Sequence, residues 1–352
     1  MSKIKIGITI GDMNGIGPEV IIKALAHSKM TDYFIPIIYG SSKVMSYHKN
    51  IVNNPNFSYV SIRDAENAGY NKINVLNVWE DNINITLGEA SEESGKIAFK
   101  AMEKAVEDAQ AGKIDALVTA PINKAAMEMA GFKHVGHTEY LTEAFNAPET
   151  VMTMVSDSLI VALASNHVPV SQLSDHLDKK KIIRKLKVLS KALKQDFAQE
   201  KPTIAVLGMN PHAGDSGVIG TDEEDYVKPA IKEAKNNGVL AVGPYPADGF
   251  FGSNGFRKTN AILAMYHDQG LIPFKLLSFG TGVNFTAGLP IVRTSPDHGT
   301  AYDIAGKNKA SGDSMRKALF LAKDLMKNRK QFLEDTRDPI KKAPKPQEKI
   351  QE

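Results

Sequence analysis

Three histidines hold matching places in three separate apolar runs. His167 closes Ile160-Val161-Ala162-Leu163-Ala164-Ser165-Asn166, His212 follows Ile204-Ala205-Val206-Leu207-Gly208-Met209-Asn210-Pro211, and His267 follows Ala261-Ile262-Leu263-Ala264-Met265-Tyr266. Neutral imidazole is a ligand for divalent first-row metals, and three protein ligands leave coordination positions for substrate or water, as a catalytic site requires. Short continuous apolar runs read as buried parallel strands, and in such sheets ligands bind beyond the carboxyl ends. The three imidazoles are therefore expected on one crevice, holding zinc, cobalt or magnesium. Each histidine taken singly has another reading, a hydrogen-bonding or capping job at a strand-to-helix turn; the repeated placement favours the metal.

The elements that must position these side chains alternate between strand and helix. Strands are expected over Ile4 to Ile10, over Phe34 to Tyr39, and at Leu117-Val118-Thr119-Ala120-Pro121. Pro18 takes the favoured first position of a helix running to Leu25. Residues 91 to 111 form an amphipathic helix with Ile97, Ala101, Ala105 and Ala109 at spacings of four and Gly112 as its stop, and Asp222 begins another that closes at Gly238. Such alternation predicts an α/β fold with a mainly parallel sheet. A chain of 352 residues exceeds the size at which one core keeps growing, so two domains are expected. Residues 336 to 352, rich in Lys, Pro, Gln and Glu, read as a disordered tail.

Composition excludes several classes. A formal charge of +3, from 43 basic against 40 acidic residues, gives no basis for nucleic-acid binding, and the Lys179–Lys187 cluster reads as the solvated face of a helix. The absence of cysteine rules out disulfides and thiolate ligands and fits a reducing cytoplasm. No apolar run approaches membrane-spanning length, and the N-terminus begins a strand rather than a signal peptide.

Two loops hold unusual residues. Gly11-Asp12-Met13-Asn14-Gly15-Ile16-Gly17-Pro18-Glu19 fits neither phosphate-binding glycine pattern and reads as a tight strand-to-helix turn, with a pocket-lining loop as the alternative. Asp297-His298-Gly299-Thr300-Ala301-Tyr302-Asp303-Ile304-Ala305-Gly306-Lys307 resembles the adenosine-binding loop of the isocitrate and isopropylmalate dehydrogenase superfamily. That resemblance implies two α/β domains flanking a cleft and a nicotinamide cofactor held by His298, Gly299 and Asp303. A carboxylate at Asp303 would accept hydrogen bonds from ribose hydroxyls and repel a 2′-phosphate, which favours NAD over NADP.

Gly136-His137-Thr138-Glu139-Tyr140-Leu141, Ser165-Asn166-His167-Val168-Pro169, Asn210-Pro211-His212-Ala213-Gly214 and Tyr266-His267-Asp268-Gln269-Gly270-Leu271-Ile272-Pro273-Phe274-Lys275 together resemble the 4-hydroxythreonine-4-phosphate dehydrogenase family, over the chain to about residue 330. The resemblance implies that His167, His212 and His267 bind the metal, and that His137, Thr138, Lys275, Asn284 and Arg293 surround a small phosphorylated hydroxy-amino acid. It further implies a homodimer with the active site at the interface. Residues 1–125 with 275–335 would form the nucleotide-side domain and residues 126–274 the metal-binding, dimerising one. Asp248, in Asp248-Gly249-Phe250-Phe251-Gly252, is the candidate proton acceptor, with a turn carboxylate capping backbone amides as its other reading. Met13-Asn14 stands where the family commonly has Pro-Ala. A related 4-phosphorylated sugar acid is the alternative substrate, and a non-catalytic metal or phosphometabolite binder the more distant alternative.

Overall fold

The computed structural model describes residues 3–26, 29–79, 83–278 and 280–337. The strands are β1 (Lys5–Thr9), β2 (Ile35–Gly40), β3 (Tyr59–Ile62), β4 (Ile73–Asn77), β5 (Ala116–Thr119), β6 (Val151–Val155), β7 (Ile160–Leu163), β8 (Thr203–Leu207), β9 (Leu240–Tyr245), β10 (Ala261–Ala264), β11 (Val283–Ala287) and β12 (Val292–Pro296). All twelve join one sheet in the order β3-β4-β2-β1-β5-β12-β11-β6-β7-β10-β8-β9. The fold is α/β. Strands β1, β2, β5 and β10 are buried over nearly their whole length, as expected of runs covered by helices on both faces.

Two parallel blocks are joined by three antiparallel pairings, β12 with β11, β11 with β6, and β6 with β7. Short connections impose the β6–β7 and β11–β12 reversals, since parallel neighbours need a long crossover, whereas β11 meets β6 from a distant part of the sequence. Ser156 closes the β6–β7 turn through its N–H to the Leu159 carbonyl, 2.9 Å. Gly288 opens the β11–β12 turn at φ +95°, where a Cβ would lie 2.4 Å from the Glu149 carbonyl oxygen. Strands β7, β10 and β8 are neighbours and parallel, so the three histidine-bearing segments leave the sheet side by side.

The expected helices form with small shifts. Ser91 caps Glu92–Gln110 by accepting the Ser94 N–H. Pro18 lies in the first turn of Gly17–Leu25. The stretch expected to begin at Asp222 opens instead as a π-helical turn, Glu223–Val227, before the α-helix Lys228–Asn236. The last helix, Asp313–Thr336, reaches the first residue of the expected tail, and residues 338–352 lie outside the described residues. Arg329 fastens this helix: its guanidinium grips Asp196 through two bonds of 2.6 and 2.9 Å and donates to the Leu289 and Pro290 carbonyls. Among the described residues no helix is long and apolar enough to cross a membrane.

The first turn is a brace. Met13 and Asn14 are fully buried, and neither lines the main cavity. Asn14 Oδ1 accepts the Thr86 N–H, while Nδ2 donates to Thr86 Oγ1, the Glu89 carbonyl and Ser91 Oγ. Asp12 accepts from the Asn14 N–H and, at 2.5 Å, from the Tyr302 hydroxyl. Glu19 accepts the Gly306 N–H at 2.6 Å. The turn thereby ties the segment 86–91 to the loop 298–306. His48 supports it from behind: its Nε2 donates to the Met13 carbonyl at 2.9 Å, and burial lowers its pKa to about 4.

Two outcomes are expected. Truncating Asn14→Ala strands several buried donors and acceptors and should cost at least about 2 kcal/mol; a loss below about 0.5 kcal/mol in urea unfolding would show that these bonds do not hold the junction. As pH falls from 6.5 toward 4, the unfolded chain takes a proton on His48 that the folded chain refuses, so stability should fall by about 3 kcal/mol over that window. His48→Gln removes this component, and equal pH slopes for the two proteins between pH 7 and 4.5 would refute the assignment.

Candidate active site

A cavity of about 400 Å³ spans the antiparallel centre of the sheet. Its walls come from both parallel blocks. Thr119 to Ile122 follow β5, Asn284 lies on β11, Arg293 and Ser295 lie on β12, and Asp297 to Gly299 follow it. From the other side come Met152 of β6, His167 after β7, and His267, Leu271 and Lys275 of the helix His267–Ser278. The helix His137–Ala144 presents its first turn, His137, Thr138 and Glu139, to the same space.

Arg293 dominates the electrostatics. It is 2% exposed, and its guanidinium donates to the Thr119 and Thr286 hydroxyls at 2.6 to 3.2 Å. No carboxylate pairs with it among the described residues. Burial pulls its pKa down to about 10, against the more distant pull of Glu139. Beside it the imidazole of His137 is held well below its ordinary range, first by burial and then by the Arg293 charge. His137 Nε2 and Asn284 Oδ1 are removed from solvent without a hydrogen-bond partner in the chain. Lys275 Nζ lies 3.7 Å from Asp297 Oδ1. Burial raises the Asp297 pKa, and the Lys275 charge opposes that rise. A permanent cation, a second cation and unanswered donors and acceptors on one wall form a receptor for an anionic, hydroxyl-bearing molecule.

His167 and His267 line the cavity with ring centroids 6.4 Å apart. With metal–nitrogen bonds of about 2 Å, two rings on one ion have centroids at most about 6.5 Å apart, so this pair lies at the outer edge of what one ion could bridge. Carboxylates stand behind both: Glu139 Oε1 is 3.6 Å from His167 Nδ1, and Asp268 Oδ1 is 2.7 Å from His267 Nδ1. The His167 contact is the main cause that lowers the Glu139 pKa. Such carboxylates commonly orient metal-binding imidazoles. His212 is not brought in. It is exposed and outside the cavity lining, on a segment where residues 212 to 216 all have left-handed backbone. Among the described residues of one chain, no three His, Cys, Asp or Glu side chains gather into a metal site. The donor set within one chain is thus two imidazoles, suited to a divalent ion and short of the three expected.

The remaining expected residues divide. His137, Thr138, Lys275, Asn284, Arg293, His298 and Gly299 all line the cavity. Asp303 is exposed on the short turn Tyr302–Ile304, outside that lining, and Asp248 is exposed on the helix Ala247–Gly252, also outside it. Glu139 and Asp297, not among the expected residues, also line it. Both were adjacent to residues already singled out, Glu139 within the His137 motif and Asp297 before His298, and that adjacency was the available signal.

Residues 32–322 match the family described as pyridoxal phosphate biosynthetic protein PdxA. The chain is 46% identical over 343 residues to the 4-hydroxythreonine-4-phosphate dehydrogenase of Bacteroides thetaiotaomicron, covering 97% of this chain and 94% of that one. Against the enzyme of the same name from Aquifex aeolicus the identity is 41% over 322 residues, with 92% and 98% covered. The crystal structure of 4-hydroxythreonine-4-phosphate dehydrogenase from Klebsiella pneumoniae superposes with a TM-score of 0.82 at 35% identity, over 93% of this chain and 98% of that one. A terephthalate 1,2-cis-dihydrodiol dehydrogenase from Burkholderia xenovorans, at 23% identity and a TM-score of 0.63 over 91% and 98%, shares the fold. Cavity, motifs and relatives agree, and the chain belongs to the PdxA family of pyridoxal phosphate biosynthetic proteins.

Proposed function

We propose that this chain is an oxidoreductase that oxidises and decarboxylates 4-phosphooxy-L-threonine to 3-amino-2-oxopropyl phosphate with a nicotinamide cofactor and a divalent metal. The observation that carries this reading is the buried Arg293 guanidinium, answered only by hydroxyls inside the chain and opening on the cavity. An anionic substrate group supplies the missing charge. Lys275 adds a second cationic contact, while His137, Thr138 and Asn284 offer hydrogen bonds to the phosphate and hydroxyl groups. The names of the relatives supply the substrate itself.

Oxidation at the 3-hydroxyl carbon, with a nicotinamide as hydride acceptor and release of the hydroxyl proton, would leave a β-keto acid that loses carbon dioxide and takes up one proton at the carbon it leaves. A proton acceptor must lie within reach of that hydroxyl. Asp297 meets this condition within one chain better than Asp248, because it lines the cavity, where burial raises its pKa against the pull of Lys275. His167 and His267 would hold the metal, zinc, cobalt or magnesium, with His212 contributed by a second copy of the chain. Bound there, such an ion supplies Lewis acidity that favours loss of the hydroxyl proton and of carbon dioxide. His298 and Gly299 would face the cofactor, with Asp303 selecting NAD over NADP through its ribose hydroxyls.

A homodimer follows from the same reading. The outer side of the helix His267–Ser278 exposes Ile272, Leu276 and Leu277 at 59, 79 and 49%, an apolar face next to the cavity that a second copy would cover. The cysteine-free composition supports work in the cytoplasm.

NADH formation at 340 nm from 4-phosphooxy-L-threonine should be metal-dependent and abolished by chelator. Arg293→Met should lower kcat/KM by at least about 100-fold, the value of a charged hydrogen-bonded contact of about 3 kcal/mol. Turnover only with D-threonate or D-erythronate 4-phosphate would instead assign a sugar-acid dehydrogenase. Metal binding with no turnover on any of the three would assign a binding protein.

A further inference from the structure

The segment that carries His212 is built against its own backbone preference. Residues 212 to 216 take φ values from +42 to +81°, and four of the five, His212, Ala213, Asp215 and Ser216, are not glycine. Each non-glycine residue in that region costs free energy, so the arrangement persists only if its surroundings impose it. The imposing group is Glu223, 1% exposed in the π-helical turn Glu223–Val227. Its Oε1 accepts the Met209 N–H at 2.7 Å and the Asn210 N–H at 2.8 Å, and its Oε2 accepts from Asn210 Nδ2 at 3.0 Å. Asn210 Nδ2 also donates to Asp222 Oδ2 at 2.8 Å. At Gly214 an added Cβ would lie 2.5 Å from Glu223 Oε2, so the left-handed segment folds directly onto the carboxylate. Gln269 links this structure to the neighbouring strand exit, accepting the Met265 N–H and donating to the Gly208 carbonyl.

We propose that Glu223 is the positioning residue for His212: it locks the exit of β8 so that the exposed imidazole is presented in one orientation to a metal ion. This rests on the reading of His212 as a metal ligand contributed across a dimer. Glu223 touches neither metal nor substrate in this scheme; it acts through the backbone of Met209 and Asn210. Glu223→Gln keeps the shape but replaces one acceptor oxygen by an NH₂ group facing donors. The test is Co²⁺ binding to the metal-stripped full-length protein, followed by calorimetry and by the visible absorption of the bound ion, with apo-protein melting measured in parallel. His212→Ala is the benchmark, and Asn210→Ala, which removes the lock from its other side, stands in should Glu223→Gln fail to fold. A 10- to 100-fold loss of Co²⁺ affinity with an altered absorption band in Glu223→Gln or Asn210→Ala, approaching the loss in His212→Ala, is the result expected of an orienting residue. Native affinity and band in the lock variants beside a weakened His212→Ala would overturn the proposal alone, as would a lowered melting temperature with no change in affinity. Native affinity in His212→Ala would overturn the ligand reading and this inference with it.

Discussion

Removing a guanidinium from water costs several kcal/mol unless a charge or a full set of acceptors compensates it. Among the described residues there is one buried arginine of each kind. Arg329 is 5% exposed and chelates the buried Asp196 carboxylate while donating to two carbonyls. It is an internal pair that holds the last helix to the sheet. Arg293 is as deeply placed, yet its acceptors are two threonine hydroxyls, and its remaining surroundings are the cavity. The difference in partners separates a structural arginine from one whose charge is left for a ligand. The cavity walls follow from it: His137 stays neutral beside this charge, and Glu139 and Asp297 are the carboxylates near enough to modulate the site.

Much of the fold was legible because several strands, β1, β2, β7, β8 and β10 among them, are short apolar runs that end in a turn. Ile4 to Ile10 and Phe34 to Tyr39 gave β1 and β2 within a residue or so, and Ser91 with Gly112 bounded the helix Glu92–Gln110. Strand direction was not legible. Apolar runs such as Ile160–Leu163 and Ala261–Ala264 announce a buried strand, but periodicity does not say which way a neighbour runs. Short connections decide the reversals within β11–β12 and β6–β7, and the pairing of β11 with the sequence-distant β6 completes the antiparallel centre that brings loops from both parallel blocks around one cavity.

The site was legible in the same uneven way. The equal placement of His167, His212 and His267 implied one shared crevice; their strands β7, β8 and β10 are adjacent and parallel, yet within one chain only His167 and His267 line the cavity. Asn210-Pro211 and Gly214-Asp215-Ser216-Gly217 announce a turn at the β8 exit, but turn residues do not specify a run of five left-handed residues. Met13-Asn14, a departure from the common family pattern, looked like a change in the pocket and is a fully buried junction behind it. Sequence position beside a motif does not distinguish a lining residue from a bracing one; burial and the count of satisfied polar atoms do.

A pattern connects these cases. The buried carboxylates that organise loops, Asp12, Glu19 and Glu223, accept from N–H and O–H groups rather than from lysine or arginine, Glu19 through Oε1 alone. Neutral donors satisfy a carboxylate's lone pairs without placing a second charge near the site, and they fix backbone geometry directly because most of them belong to the main chain. Had Glu223 been paired with a lysine, the loop would be held by a long flexible side chain and a cation would sit close to the intended metal ligand. With backbone amides as partners, the carboxylate specifies loop shape and adds no positive charge where a divalent ion is to bind. Arg293 and Lys275, two of the cations lining the cavity, are then free of that structural duty and stand on the wall where an anionic substrate would lie.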